Sequence, residues 1–256
     1  MKVSLLLPLG LVALAAPLAA QDFRWHGAIA SGKRLEIRGI NGAIHATRAS
    51  GSEAEVTANK RAHRGNPDEV EIKVIEDAQG VLICAVYPSR RSSRPNECRR
   101  SGTQNDTGDN DVEVTFEVKV PAGVEFDAAT VNGDVTARDL PADAELTTVN
   151  GDVDVEAGGV AHATTVNGSI KARLGRADWK ERIDFTTVNG SITVSLPGNA
   201  SADLEATTVN GSIDSDFPIT MRGRMTPQSL RGSIGDGGRD LKLTTVNGGI
   251  TIRKTS

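Results

Sequence analysis

Acidic side chains recur at equivalent positions of a repeated motif in the second half of this sequence, at Asp127, Glu145, Asp184 and Glu205. Each of them lies five residues before an asparagine of a repeated motif. If neighbouring repeats stack as β-strands about 4.8 Å apart, their carboxylates approach the ~5–5.5 Å separation of the catalytic pair in retaining glycosidases. Like charges at that distance raise a pKa, and carboxylates are also the oxygen ligands that Ca²⁺ prefers. On an exposed sheet such rows are more often only solvated, so this column does not by itself predict catalysis.

The remaining chemical groups give no enzyme signature. The four histidines (His26, His45, His63 and His162) lack metal-ligand spacing, and neither a Gly-x-Ser-x-Gly elbow nor a phosphate-binding loop is present. Five arginines, at positions 90, 91, 94, 99 and 100, form a basic cluster that could contact anionic polymers or only be solvated. With 3% aromatic residues and a formal net charge of −4, the chain does not resemble a nucleic-acid-binding protein. We therefore expect no catalytic residue, metal site, cofactor or nucleic-acid partner.

An internal repeat organises the sequence. The motif Thr-Val-Asn-Gly occurs six times. One residue that is mostly Asp or Ser follows it, and then Val or Ile. The asparagines of the six copies are Asn132, Asn150, Asn167, Asn189, Asn210 and Asn247. A degenerate copy at 229–236 has Arg231 in place of the asparagine, and an early outlier at 39–46 matches the same frame. The steps between successive copies, 16 to 22 residues, are too short for helical repeats or propeller blades and suit one coil of a β-solenoid.

Apolar residues fall in columns when the repeats are aligned on the asparagine. They occupy the positions four and one before it and three and five after it, which predicts interior rows that are buried only when the coils stack. The asparagines themselves are predicted to form a structural ladder of side-chain amides, although they could also line a polar binding surface. Thr-Thr pairs before the asparagine suggest the flat arrays of ice-binding solenoids, but the unequal coil lengths argue against that function. An antiparallel meander with Asn-Gly hairpin turns is the alternative fold.

The two ends of the chain differ from the repeats. Residues 1–20 have one lysine, a short apolar run and small residues at the end, which predicts a cleaved secretory signal peptide and no transmembrane segment in the mature protein. Residues 21–256 are then one domain, with irregular N-terminal coils or a cap over 21–120, a polar loop at 88–111, and regular repeats over 121–256. In an oxidising compartment Cys84 and Cys98 are expected to form a disulfide.

At the Gly-Ile-Asn-Gly of residues 39–42 and the serial Thr-Val-Asn-Gly units, the sequence resembles the DUF4097 family of adhesin-like proteins, including the head GIN domain proteins. The resemblance covers most of the mature chain and implies an all-β, single-stranded parallel β-helix, here of about seven to eight short coils. It implies an exported protein, periplasmic or associated with the cell envelope, and carries no catalytic residues over. We predict a non-enzymatic interaction scaffold that binds an envelope polysaccharide or protein. A β-helical polysaccharide-active enzyme and a structural or stress-response envelope component without a ligand are the alternatives.

Overall fold

The computed structural model describes residues 23–62, 64–90, 95–100, 107–176, 179–221 and 226–255. These residues form strands numbered β1–β21 in chain order and one 3₁₀ turn, Pro67–Glu69, with no α-helix in the described ranges. No helix among them is long and apolar enough to cross a membrane. The predicted signal peptide, residues 1–20, lies outside the described residues.

The strands form two sheets. Sheet A has ten strands: β1 (Phe23–Ala28), β3 (Ile44–Arg48), β4 (Glu53–Arg61), β7 (Glu113–Val120), β9 (Val135–Leu140), β11 (Val153–Ala157), β13 (Ile170–Leu174), β15 (Ile192–Pro197), β17 (Ile213–Ser215) and β21 (Ile250–Thr255). Sheet B has eleven: β2 (Arg34–Arg38), β5 (Glu71–Asp77), β6 (Gly80–Val86), β8 (Glu125–Ala129), β10 (Ala144–Thr147), β12 (Ala161–Thr164), β14 (Ile183–Thr186), β16 (Ala202–Thr207), β18 (Ile219–Met221), β19 (Ser229–Ile234) and β20 (Asp240–Thr244).

The predicted β-solenoid is confirmed. A typical coil runs along sheet B, turns at the repeated motif and returns along sheet A, and equivalent strands of neighbouring coils pair in parallel. The coil β6–β7 differs, because residues 87–112, which contain no copy of the motif, connect its two strands. In the described ranges the stack contains eight coils, in the order β6–β7, β2–β3, β8–β9, β10–β11, β12–β13, β14–β15, β20–β21 and β16–β17. Parallel pairing rules out the antiparallel meander, in which consecutive strands would be hairpin partners.

The coils do not stack in chain order. The last coil, β20–β21, lies between β14–β15 and β16–β17, and the first, β2–β3, lies between β6–β7 and β8–β9. The strand chemistry explains the C-terminal exchange, because β21 buries Ile250 and Ile252 whereas β17 is short and polar, which suits an edge strand. The C-terminal strand β21 is therefore an interior strand, although its last residues are charged.

The core lies between the sheets, and the apolar columns account for most of it. The columns four before and three and five after the asparagine are buried almost throughout, from Leu146 and Phe185 to Ile170 and Val194. The column directly before the asparagine behaves differently from the prediction. Val149, Val166 and Val188 are each 37% exposed, whereas the preceding threonines are buried. The chain turns at this point, so the strand alternation that placed these valines inside does not extend through the turn.

Antiparallel strands close both ends of the stack. At the N-terminal end, β4 and β1 extend sheet A and β5 extends sheet B. At the other end, β19 and β18 extend sheet B. The degenerate copy at 229–236 contains β19, so it is an antiparallel cap strand and not a coil. Its Arg231 offers no side-chain amide to the ladder and instead bonds Glu205. Residues 34–48, assigned from sequence to the irregular region, form a regular coil.

Candidate functional site

The turn that joins the two sheets carries a continuous row of asparagines. Each side-chain Nδ2 donates to the Oδ1 of the asparagine in the neighbouring coil at 2.7–2.8 Å. The row runs through Asn41, Asn132, Asn150, Asn167, Asn189, Asn247 and Asn210. Asn41 of the early outlier begins the row, and its backbone carbonyl accepts from Tyr87. These amides are engaged with one another, so the row serves the architecture first.

The threonine two residues before the asparagine has a structural role that sequence reasoning missed. Thr148, Thr165 and Thr187 are each 1% exposed, and each hydroxyl donates at 2.8–2.9 Å to the carbonyl of the motif glycine in the preceding coil. A hydroxyl that bonds a buried carbonyl satisfies both groups. The signal was present in the sequence, because this threonine occurs in all six copies. Only the other threonine of each pair faces outward, so the pairs do not form a flat array.

The predicted acidic column is interrupted. Along the outer face of sheet B, Asp127 lies beside Glu145, but His162 follows, and Lys242 separates Asp184 from Glu205. The inserted last coil supplies Lys242, which the chain order could not indicate. Asp127 and Glu145 are therefore the only adjacent pair of the four.

Asp134 and Asp152, which lie two residues after the asparagine of their motifs, accept hydrogen bonds from backbone amides. Asp134 Oδ1 accepts from the amide of Asp152 at 2.8 Å, and Asp152 Oδ1 accepts from the amide of Ser169 at 2.7 Å. Each carboxylate thus bonds the next coil, which is a structural role.

Asp127 belongs to a network of ion pairs at the first coils. Arg38 donates to both of its carboxylate oxygens at 2.7 Å and to Glu36 at 3.0 Å. Asp127 is 8% exposed and Glu36 is 4% exposed. Burial alone would lower the pKa of Arg38, but the hydrogen bond and charge of Asp127 outweigh it and raise that pKa. Both oxygens of Asp127 are used by this bidentate bond, so the carboxylate is fixed as an acceptor.

The polar loop is attached to the same network by a covalent bond and by Arg100. The expected disulfide joins Cys84 in β6 to Cys98. Arg100 pairs with Glu36 and donates to both oxygens of Asp77, at 3.0 and 2.7 Å. The hydrogen bond from Arg100 lowers the pKa of Asp77, so this carboxylate is protonated at a lower pH than it would be without its partner. Residues 95–100 are therefore held against sheet B.

Between this attached segment and the outer face of sheet B lies a cavity of about 420 Å³, which we call the loop groove. Charged residues on its two sides are Glu97, Arg99 and Arg100 from the loop and Arg38, Asp127 and Glu145 from three coils of sheet B. The remaining lining is mainly small or apolar: Gly39, Ala129, Thr130, Val131, Thr147 and Val149. Two valines of the turn, the half-buried Val131 and the exposed Val149, thus line a cavity large enough to bind a ligand.

The predicted basic cluster is mostly neutralised by acids. Arg99 pairs with Glu97, Arg90 pairs with Asp109, and Arg100 pairs as described above. Arg91 and Arg94 lie outside the described residues, as does His63. In the described part of the chain the arginines of this cluster therefore form ion pairs and do not make an extended cationic patch.

The carboxylates of the loop groove differ in how they are engaged. Asp127 is fully bonded to Arg38 and Glu97 is paired with Arg99, whereas Glu145 forms no ion pair within the described residues. Two independent carboxyl groups are needed for glycoside hydrolysis of the usual kind. Among the residues that the structure describes, no three His, Cys, Asp or Glu side chains are arranged to hold a metal ion. His45 bonds Thr136 at 2.8 Å on the other sheet.

Comparison with known proteins gives a family. The family model Toastrack DUF4097 matches residues 91–253. No curated protein matches the chain. A solved structure of a candidate cell adhesion protein from Clostridium sporogenes is 11% identical, with 92% of this chain and 100% of that chain covered and a TM-score of 0.49. A candidate adhesin from Bacteroides fragilis is 12% identical, with 93% of this chain and 98% of that chain covered and a TM-score of 0.38. A candidate adhesin from Parabacteroides distasonis is 11% identical, with 92% of this chain and 98% of that chain covered and a TM-score of 0.28.

Proposed function

Since the chain belongs to the Toastrack DUF4097 family, whose model spans the repeats without specifying a reaction, we propose its function from the loop groove: it is an exported, non-enzymatic, adhesin-like interaction scaffold of the cell envelope. The observation that carries this proposal is a groove held open by a disulfide and by Arg100, with its best-placed acid, Asp127, tied to Arg38. A preformed groove loses little conformational freedom when it binds a partner.

The Cys84–Cys98 bond supports the proposed location. Disulfides persist in oxidising compartments and are rare in the cytosol of most organisms. The apolar N-terminal run predicted to be a signal peptide points to the same address. We therefore place the protein in the periplasm or at the cell surface.

We propose a protein segment as the occupant of the loop groove. The lining combines apolar contacts at Val131 and Val149 with Arg99 and the carboxylates of Glu97 and Glu145. Apolar surface with charges of both signs around it matches an extended peptide. Among the described lining residues none is aromatic, so they offer no flat π surface to a partner.

A paired substitution tests this proposal. Val149 and Val188 occupy the same column and are both 37% exposed, but only Val149 lines the loop groove. We expect Val149→Arg to abolish capture of the partner from an envelope extract while Val188→Arg captures as the wild type does. The captured component should disappear after protease treatment of the extract and survive periodate oxidation. Equal capture by both variants, or a component sensitive only to periodate, would contradict the proposal.

A polysaccharide-active enzyme is the second candidate, because the loop groove gathers Arg38, Asp127 and Glu145 from three coils. Polysaccharides isolated from the cell envelope are incubated with the wild type and with Glu145→Gln, and the release of products distinguishes the two functions. The scaffold requires that neither protein releases products. Products formed by the wild type and lost in Glu145→Gln would establish the enzyme instead.

A further inference from the structure

The outer face of sheet A carries a second groove, which has no part in the proposed function. It has a volume of about 500 Å³, and we call it the cationic groove. Its charged lining residues are Arg138, Lys171, Arg173, Arg253, Asp154 and Glu156. The groove is thus net positive on a chain whose formal charge is −4.

Both acids of the cationic groove are already paired. Asp154 accepts from Arg138 at 2.9 Å, and Glu156 accepts from Arg173 at 3.1 Å. Within the described ranges no ion pair is formed by Lys171 or Arg253. The excess positive charge therefore lies toward β13, β15 and β21. Lys171 has Asp154 as its in-register neighbour on β11 but forms no salt bridge with it, so an anion that binds there meets cations that no salt bridge occupies.

The register of these strands places hydroxyl groups between the cations. Arg173, Ser195 and Arg253 are in-register partners on β13, β15 and β21, and Lys171 is the partner of Thr193. An acidic group above β15 can accept from Ser195 while a guanidinium lies on either side. Arginine presents its donors in a fork that matches carboxylate and phosphate oxygens.

Two of the cations have a defined spacing. Along the stack one outer row holds Glu156, Arg173, Ser195 and Arg253 as in-register neighbours, so that an arginine stands on every second strand. Two strand spacings separate successive arginines, which is about 10 Å. Two sugar units of an extended polysaccharide have a comparable length. A polymer with one acidic group on every second sugar would therefore present its charges in step with the arginines.

Nucleic acid fits this surface poorly. Its phosphates follow one another at about 3.4 Å of rise per strand, which has no relation to an arginine on every second coil. In the part of the chain that the structure describes, the lining contains no aromatic side chain on which bases could stack.

We propose that the cationic groove binds an extended acidic polysaccharide that runs across the strands, along the axis of the stack. The ligand carries a carboxylate or another acidic group on alternate sugars, and these groups lie near Lys171 and between Arg173 and Arg253. The loop groove on sheet B is not needed for this binding, so the protein presents two separate recognition surfaces.

Hyaluronan oligosaccharides, which carry a carboxylate on every second sugar, are the probe. Their affinity is measured by titration calorimetry with the wild type, Lys171→Gln, Arg253→Gln and the double variant. These two cations have no ion pair in the described residues, so their removal leaves no acid unpaired. We expect each single change to weaken binding roughly fivefold and the double change more than tenfold, and added salt to weaken the wild type.

Three controls complete the test. Arg231→Gln removes a cation from sheet B and should bind as the wild type does. Chitin oligosaccharides, extended but uncharged, should not bind. Val149→Arg should keep full affinity for hyaluronan, so that failure of the proposed function and failure of this inference are distinguishable. Absence of wild-type binding, or equal losses in Arg231→Gln and in the double variant, would overturn the proposal.

Discussion

Asn247 donates its side-chain amide to Asn189 at 2.7 Å, although 58 residues separate them in the sequence. Asn210, which follows Asn189 in the chain, instead donates to Asn247 on its other side. The C-terminal coil is thus enclosed by two coils that precede it. This order has consequences for stability that a stack in chain order would not have.

The enclosed C-terminal coil should resist hydrogen exchange. Backbone amides of β20 and β21, among them Ile250, which donates to Ser212 at 2.9 Å, are expected to exchange only on global unfolding. The edge strands β17 and β18 should exchange faster and serve as the internal comparison. Exchange of β21 at the rate of a frayed terminus would disprove the coil order.

The buried threonine hydroxyls should contribute measurably to stability. Thr165→Val removes the bond to the carbonyl of Gly151 and leaves that acceptor unsatisfied, so we expect a loss of about 1–3 kcal/mol in the free energy of unfolding. Its neighbour Thr164 is exposed, and Thr164→Val should change stability by no more than about 0.5 kcal/mol. Urea unfolding of both variants makes the comparison, and similar losses would refute the role of the hydroxyl.

The motif glycines should be intolerant of any side chain. A Cβ on Gly168 would overlap the carbonyl of Gly151 in the neighbouring coil, whereas a Cβ on Gly175 meets nothing within 4 Å. We expect Gly168→Ala to cost at least about 3 kcal/mol, because backbone and not a flexible side chain must move. Gly175→Ala should be nearly neutral. Equal thermal midpoints for the two variants would show that the coils separate more easily than the structure indicates.

Tyr87 should titrate at unusually high pH. Burial raises its pKa, and its hydroxyl donates to the carbonyl of Val112 at 2.7 Å. Because the folded pKa exceeds the unfolded value of about 10, the protein keeps this stability below about pH 10 and loses it as the pH rises further. The chain has one tyrosine, so the phenolate absorbance reports this group alone.

Tyr87→Phe is the companion measurement. At neutral pH it should lose about 1–3 kcal/mol, since the carbonyl of Val112 loses its donor. Its stability should then fall less steeply than that of the wild type at alkaline pH. A phenolate transition at the ordinary value in the folded protein would contradict the burial of the hydroxyl.

The predictions from sequence succeeded where a column of like residues has one physical explanation. Apolar residues four before and three and five after the asparagine had to be interior, because no other environment stabilises such rows in every coil. The prediction for the valine column was wrong, because the turn breaks the alternation and the threonine hydroxyl can be buried once it is bonded. The loop groove could not be predicted, since Glu36, Asp77 and Arg100 meet only after β2, β5 and the loop have folded together.

The sequence by itself determined that the chain is a β-solenoid with a ladder-forming turn, and it left Cys98 as the one partner for Cys84. It could not determine the order of the coils, because nearly identical motifs offer the same amide, hydroxyl and apolar contacts to any neighbour. Only the tertiary structure decided that order, through the mismatch between the polar β17 and the apolar β21. The coil order therefore also decided which side chains are neighbours on the surface. Lys242 interrupts the acids of sheet B, and Arg253 lies beside Ser195 on sheet A.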